Sequence, residues 1–152
     1  MAAKRDEVRL SSTRVLLVDD YKDWRDQVLL LLQARQEWQV ICEASDGLEA
    51  VQKARELKPD VVLLDIGLPS LNGIEAARWI RQLSPNSKIV FLSADNSQDV
   101  VQAALSTGAQ GYVQKARAQS ELLPAVDAVL RGGQFVSSTS KATDSLTSTN
   151  EL

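Results

Sequence analysis

Asp65 stands directly after the apolar run Val61, Val62, Leu63 and Leu64, and an ionised carboxylate cannot stay inside such a core without a partner. It is expected to emerge where the run ends. Asp19 and Asp20 follow the run from Val15 to Val18 in the same way, Ser93 follows Ile89 to Leu92, and Lys115 follows the weaker run from Gly111 to Gln114. These side chains are the ones available for chemistry. The 152 residues contain no histidine, which removes Ser-His-Asp triads, Cys-His dyads and histidine-rich zinc sites together. Carboxylate, hydroxyl and lysine chemistry is what is left. The single cysteine, Cys42, lies in the apolar run Val40, Ile41, Cys42 and reads as a small buried hydrophobe rather than a reactive thiol.

The elements that must position these groups alternate. Runs of four apolar residues, rich in Val, Ile and Leu, are too short for free-standing helices and read as strands buried on both faces: Val15–Val18, the Val40 to Cys42 region within Gln39–Ala44, Val61–Leu64, Lys88–Ser93 and Gly111–Gln114. Helical spacing fills the intervals. Trp24, Val28, Leu31 and Leu32 share one face behind a possible Asp23 cap; Asp46 and Glu49 form a capping box before Leu48, Val51, Ala54 and Leu57; Ile74, Ala77, Trp79, Ile80 and Leu83 follow. Val100, Val101, Ala104 and Leu105 make a fourth helix capped by Asn96 or Ser97. A fifth covers about 118–130, where Pro124 should kink it unless it lies in the first turn. Five strands alternating with five helices specify an α/β doubly wound sheet with helices on both faces, since parallel strands need helical crossovers. Asp19, Asp20, Asp65, Ser93 and Lys115 then meet at one sheet edge, where such folds form their crevice.

Length and a hydrophobic content of 44% suit one domain. The expected division is a disordered leader over 1–13, the domain over 14–131, and a linker with a disordered tail over 132–152, because nine of the sixteen residues from 137 on are Ser or Thr. A net charge of −3 gives no basic field for nucleic acid, no apolar run has the length of a membrane span, and the charged first ten residues lack a signal-peptide core. A cytoplasmic protein without direct nucleic-acid or membrane binding is expected.

Taken in order, Val18-Asp19-Asp20, Leu64-Asp65-Ile66-Gly67-Leu68-Pro69 with Asn72-Gly73, Leu92-Ser93-Ala94 and Gly111-Tyr112-Val113-Gln114-Lys115 resemble the motifs of a receiver domain of bacterial two-component response regulators. The resemblance covers about residues 14 to 131. It implies a flavodoxin-like (βα)5 three-layer sandwich with a parallel five-stranded sheet of order 2-1-3-4-5. The stretch from Leu122 through Arg131-Gly132-Gly133-Gln134-Phe135-Val136 is similar to the receiver end and linker of the NarL/LuxR subgroup. No helix-turn-helix pattern follows in this sequence, so a shortened regulator and a stand-alone receiver both stay open.

Three carboxylates at one edge repel unless a cation sits among them, and hard oxygen ligands favour Mg2+. The resemblance implies Asp20, Asp65 and the Gly67 backbone carbonyl as direct ligands, with Asp19 binding directly or through water. It implies Asp65 as phosphoacceptor, Ser93 and Lys115 neutralising the transferring oxygens, and small Ala94 leaving room for entry. The donor is a separate histidine kinase. Ser93 and Tyr112 are the implied switch: the hydroxyl moves toward the phosphoryl group, the aromatic swings inward, and the face of helix four, strand five and helix five (α4-β5-α5) changes. A homodimer through that face, or through helices one and five (α1/α5), is a further expectation. Beyond its own phosphorylation and slow autodephosphorylation no enzyme activity is expected. Where the family has proline after its lysine this chain has Ala116, Gly67 puts no side chain two residues past Asp65, and Asp95 is acidic. The alternatives are a haloacid-dehalogenase-like phosphatase, whose second acid is absent at Gly67, and a degenerate receiver used as a docking module. Glycine-rich nucleotide-binding motifs are missing.

Overall fold

Each apolar run is a strand in the computed structural model, which describes residues 12–138. The strands are β1 (Thr13–Val18), β2 (Trp38–Ala44), β3 (Val61–Leu64), β4 (Lys88–Ser93) and β5 (Gly111–Gln114). Helices α1 (Lys22–Leu32), α2 (Gly47–Leu57), α3 (Gly73–Leu83) and α4 (Gln98–Leu105) stand between them, and α5 (Ala118–Leu130) follows β5 after a 3-10 turn at Lys115–Arg117. All strand pairings are parallel, in the order β2-β1-β3-β4-β5 that the family resemblance implies.

Alternation along the strands divides the core into two layers, as a period of two requires. Leu16, Val18, Val62, Leu64, Ile89, Phe91 and Tyr112 face α2, α3 and α4, meeting Ala50, Ala54, Ala77, Ile80, Val101 and Ala104. Val15, Leu17, Val61, Leu63, Val90, Leu92 and Val113 face α1 and α5, meeting Val28, Leu32, Leu122, Ala125, Val126 and Val129. This is the expected three-layer sandwich. Cys42, on the edge strand β2, is half-buried against the first layer rather than enclosed.

The sheet has six strands, not five. β6 (Phe135–Val136) pairs parallel with Gly111 and Tyr112 of β5. The chain leaves α5 through Gly132, whose φ of +91° suits glycine, and turns back along the open strand edge. There the Phe135 N–H donates to the Gln110 carbonyl at 3.1 Å and the Ser137 N–H to the Tyr112 carbonyl at 2.8 Å. A two-residue strand has no apolar periodicity, so the expected linker over 132–152 carried no sign of it. The expected leader, apart from Ser12 and Thr13, and the tail beyond Ser138 lie outside the described residues.

Three of the five helix starts carry a side-chain cap, and α1 and α5, the latter at Arg117, do not. The Glu49 N–H donates to Asp46 Oδ1 at 2.8 Å while Glu49 Oε1 accepts from the Ser45 N–H at 2.9 Å, and Ser97, not Asn96, caps α4. At α1 the cap position belongs to Tyr21 without a side-chain bond, and Asp23 lies in the first turn instead. Pro124 sits inside α5, which continues through it to Leu130. Among the described residues no helix is long and apolar enough to cross a membrane.

Candidate functional site

The sheet ladder runs one residue past two central strands, and this pins the acids. The Asp19 N–H donates to the Ala44 carbonyl at 3.1 Å, and the Asp65 N–H donates to the Val18 carbonyl at 3.1 Å. Asp19 and Asp65 are buried, Asp20 is exposed, and each of the three offers a carboxylate oxygen within 4.8 Å of the others. Lys115, from the end of β5, places Nζ 2.7 Å from Asp19 Oδ2 and 3.7 Å from Asp65 Oδ1. Asp19 Oδ1 accepts the Tyr21 N–H at 2.9 Å. Oδ2 is buried and, apart from its ion pair with the lysine, accepts no directed hydrogen bond. An under-coordinated carboxylate oxygen beside two further carboxylates is a donor set that fits a hard divalent cation.

Burial is the main reason the Asp65 carboxyl is pushed above the ordinary carboxylate range. The Lys115 ammonium pulls it down again, while Asp19 and, more weakly, Asp20 push it up.

Ser93 is buried at the end of β4, its hydroxyl accepting the Asp95 N–H at 3.1 Å. Tyr112 is fully buried rather than poised outside: its hydroxyl donates to the Asp95 carbonyl at 2.5 Å, and its ring lies 6.2 Å from that of Phe91. Burial raises its phenol above the ordinary value, opposed by a hydrogen bond with Ser93. Ser93, Asp95 and Tyr112 are therefore one connected unit. Gly67 is exposed, and a Cβ built there meets nothing within 4 Å. The Lys115–Ala116 peptide is trans.

Several contacts that support the site gave no signal in the sequence. Arg25 of α1 donates from Nη1 to the Asp19 carbonyl at 2.6 Å and from Nε to Glu43 at 2.8 Å, tying the end of β1 to β2. Trp24, counted among inward-facing helix residues, lies beneath the Lys115 ammonium, 5.3 Å from its ring centroid. Gly73 begins α3 against the Asp65 backbone, where a Cβ would come within 1.9 Å of the Asp65 carbonyl oxygen. Gly47 begins α2 against the Leu71 carbonyl at 1.7 Å by the same measure. The loop after Asp65 is thus clamped by two helix starts that approach as closely as glycine permits.

A doubly wound parallel sheet of this order, with three acids and a lysine at the carboxyl ends of its strands, defines a flavodoxin-like receiver. The family described as response regulator receiver domain matches residues 15–127, and the chain belongs to it. It is 33% identical over 131 residues to the transcriptional regulatory protein DegU of Brevibacillus brevis, covering 86% of this chain and 56% of that one. It is 39% identical over 116 residues to the chemotaxis protein CheY of Thermotoga maritima, covering 76% and 96% respectively. A LuxR-family response regulator from Aurantimonas sp. SI85-9A1 superposes with a TM-score of 0.81 at 32% identity, over 93% of this chain and 100% of that one. The chain spans 56% of the length of DegU and of the transcriptional regulatory protein LnrK of Bacillus subtilis, and the likeness is to their receiver part. Receivers are signalling modules that work with Mg2+ in general, and the acidic cluster here could hold it. The phosphatase alternative is not favoured.

Proposed function

We propose that Asp65 accepts a phosphoryl group from the phosphohistidine of a histidine kinase, with Mg2+ held by Asp19, Asp20, Asp65 and the Gly67 carbonyl. One observation carries this reading: side chains from three separate strands bring a buried, partly desolvated carboxylate within reach of an ammonium and two further acids. An Asp65 oxygen attacks phosphorus, the phosphorus–nitrogen bond breaks, and its electron pair stays with the donor imidazole, which takes up a proton. The Lys115 ammonium, already between Asp19 and Asp65, neutralises charge on the transferring oxygens, and the Ser93 hydroxyl offers them a hydrogen bond. The cation, when bound, supplies the positive charge that lets three acids and a phosphoryl group share one place.

The output we assign to this event passes through Ser93. Its hydroxyl now accepts from Asp95 and lies beside Tyr112, so turning it toward a phosphoryl group changes a contact that Tyr112 already makes, rather than opening space for a ring to enter. The affected face is α4-β5-α5, with β6 covering the outer edge of β5. A homodimer on that face would meet α4, β6 and α5.

Incubating the chain with phosphoramidate or acetyl phosphate and Mg2+ should add one phosphoryl group by intact mass, labile to base. Asp65→Asn should add none. Equal labelling of Asp65→Asn, or no labelling of the wild-type chain, overturns the proposal.

A further inference from the structure

Lys115 has three neighbours that attract its charge. Asp19 Oδ2 is 2.7 Å from Nζ, Asp65 Oδ1 is 3.7 Å away, and the indole ring of Trp24 lies with its centroid at 5.3 Å. The last distance is inside the roughly 6 Å over which an aromatic face attracts an ammonium. Two features make the ring more than a passive wall. The Trp24 indole N–H is buried and finds no acceptor, so the polar edge of this tryptophan contributes nothing to the site and its face is what it offers. Beside the pair lies a cavity of about 540 Å³ lined by Trp24, Gln27, Leu30, Lys115, Ala116 and Gln119, among others. A lysine side chain with four rotatable bonds has room there to swing out of the site.

The strongest of the three contacts is the one the chemistry disturbs. When the Asp19 oxygens turn to another cation, the lysine loses its 2.7 Å partner and is repelled by the new charge. What then keeps Nζ near Asp65 is Asp65 itself and the ring. We propose that Trp24 is a positioning residue for Lys115, its indole face holding the ammonium at the Asp65 side of the site while Asp19 is engaged elsewhere. The inference rests on Asp65 being the phosphoacceptor, as set out above.

The test compares the wild-type chain with Trp24→Phe and Trp24→Leu. Phenylalanine keeps an aromatic face and leucine keeps bulk without one. With phosphoramidate at saturating Mg2+, Trp24→Leu should slow the labelling of Asp65 about five- to tenfold, and Trp24→Phe by no more than about threefold. Mg2+ affinity, read separately by titration, should stay within about twofold for both, because neither variant alters an acid. A second readout is independent of phosphorylation. The ε-methylene protons of Lys115 should carry an upfield ring-current shift in the carbon-proton spectrum of the wild type, kept in Trp24→Phe and lost in Trp24→Leu, with circular dichroism unchanged. A Lys115 signal at the free-lysine position in the wild type, or a Trp24→Leu chain that labels at the wild-type rate, overturns the inference. Absence of labelling in the wild type sinks the phosphoacceptor reading instead, and the ring-current shift then decides alone whether Trp24 holds the ammonium.

Discussion

Asp65 stores an electrostatic cost. Its carboxyl is buried beside two acids and its acidity is weakened, chiefly by desolvation, relative to the ordinary value of 3.8. Between 3.8 and the raised native value the folded chain holds more protons than the unfolded one, so this group's contribution falls as pH rises through that window and stays low above it. Asp65→Asn removes the charge and keeps the shape. In chelator at pH 7 it should melt roughly 3 °C higher than the wild type, an advantage that shrinks toward pH 4. Scanning calorimetry at both pH values checks this, and an equal advantage at pH 4 and 7 counts against a charge origin. Adding Mg2+ should narrow the gap at pH 7, because a cation bound by the acidic cluster stabilises the chain with all three acids more than the variant that lacks one. Lys115, Asp65 and Asp19 were legible as single residues because each ends an apolar run. Arg25 was not: it sits between Trp24 and Asp26 with no pattern to mark it, and its value lies in reaching a carbonyl on another strand.

At the scale of elements, two glycines in one loop have opposite tolerance. A methyl group at Gly73 would collide with the Asp65 carbonyl, so α3 and the loop cannot both keep their places, and Gly73→Ala should cost upward of about 3 kcal/mol by urea unfolding. Gly67→Ala adds a group in open space and should fall within about 0.5 kcal/mol of the wild type. Similar costs for the two would mean that the helix start, not the loop, gives way. Strands and helices were readable from period and capping, as Asp46 with Glu49 illustrates. Phase was readable less well. Trp79 was grouped with Ile74, Ala77 and Ile80, yet it is half exposed, since two residues from Ala77 and five from Ile74 put it off the buried stripe. Gly73 is marked only as part of the Asn72-Gly73 motif and nothing marks Gly47, because contact between separate helix starts and a loop leaves no local trace.

Across the whole molecule, the unexpected element is β6. Its main fastening is Ser137, which is buried, accepts the Gln114 N–H at 3.0 Å through Oγ, and donates to Glu121 of α5. Ser137→Ala leaves the Gln114 N–H without that acceptor and should cost about 1 to 2 kcal/mol. Amide exchange at Ser137 and Gln114 should quicken while β1 and β3 keep their protection, and unchanged exchange at both amides would show that β6 is held by its backbone pairing alone. Because β6 runs parallel to β5, its direction matters as much as its presence. The chain reaches Ser138 at the same end of the sheet as Lys115, and the Ser138 carbonyl accepts from the Gln114 side chain at 3.1 Å. Residue 138 is thereby tethered to Gln114, the neighbour of Lys115 at the end of β5. An environment-sensitive dye attached there would stand at the same end of the sheet as Asp19, Asp65 and Lys115 and should respond to a change of charge at that end.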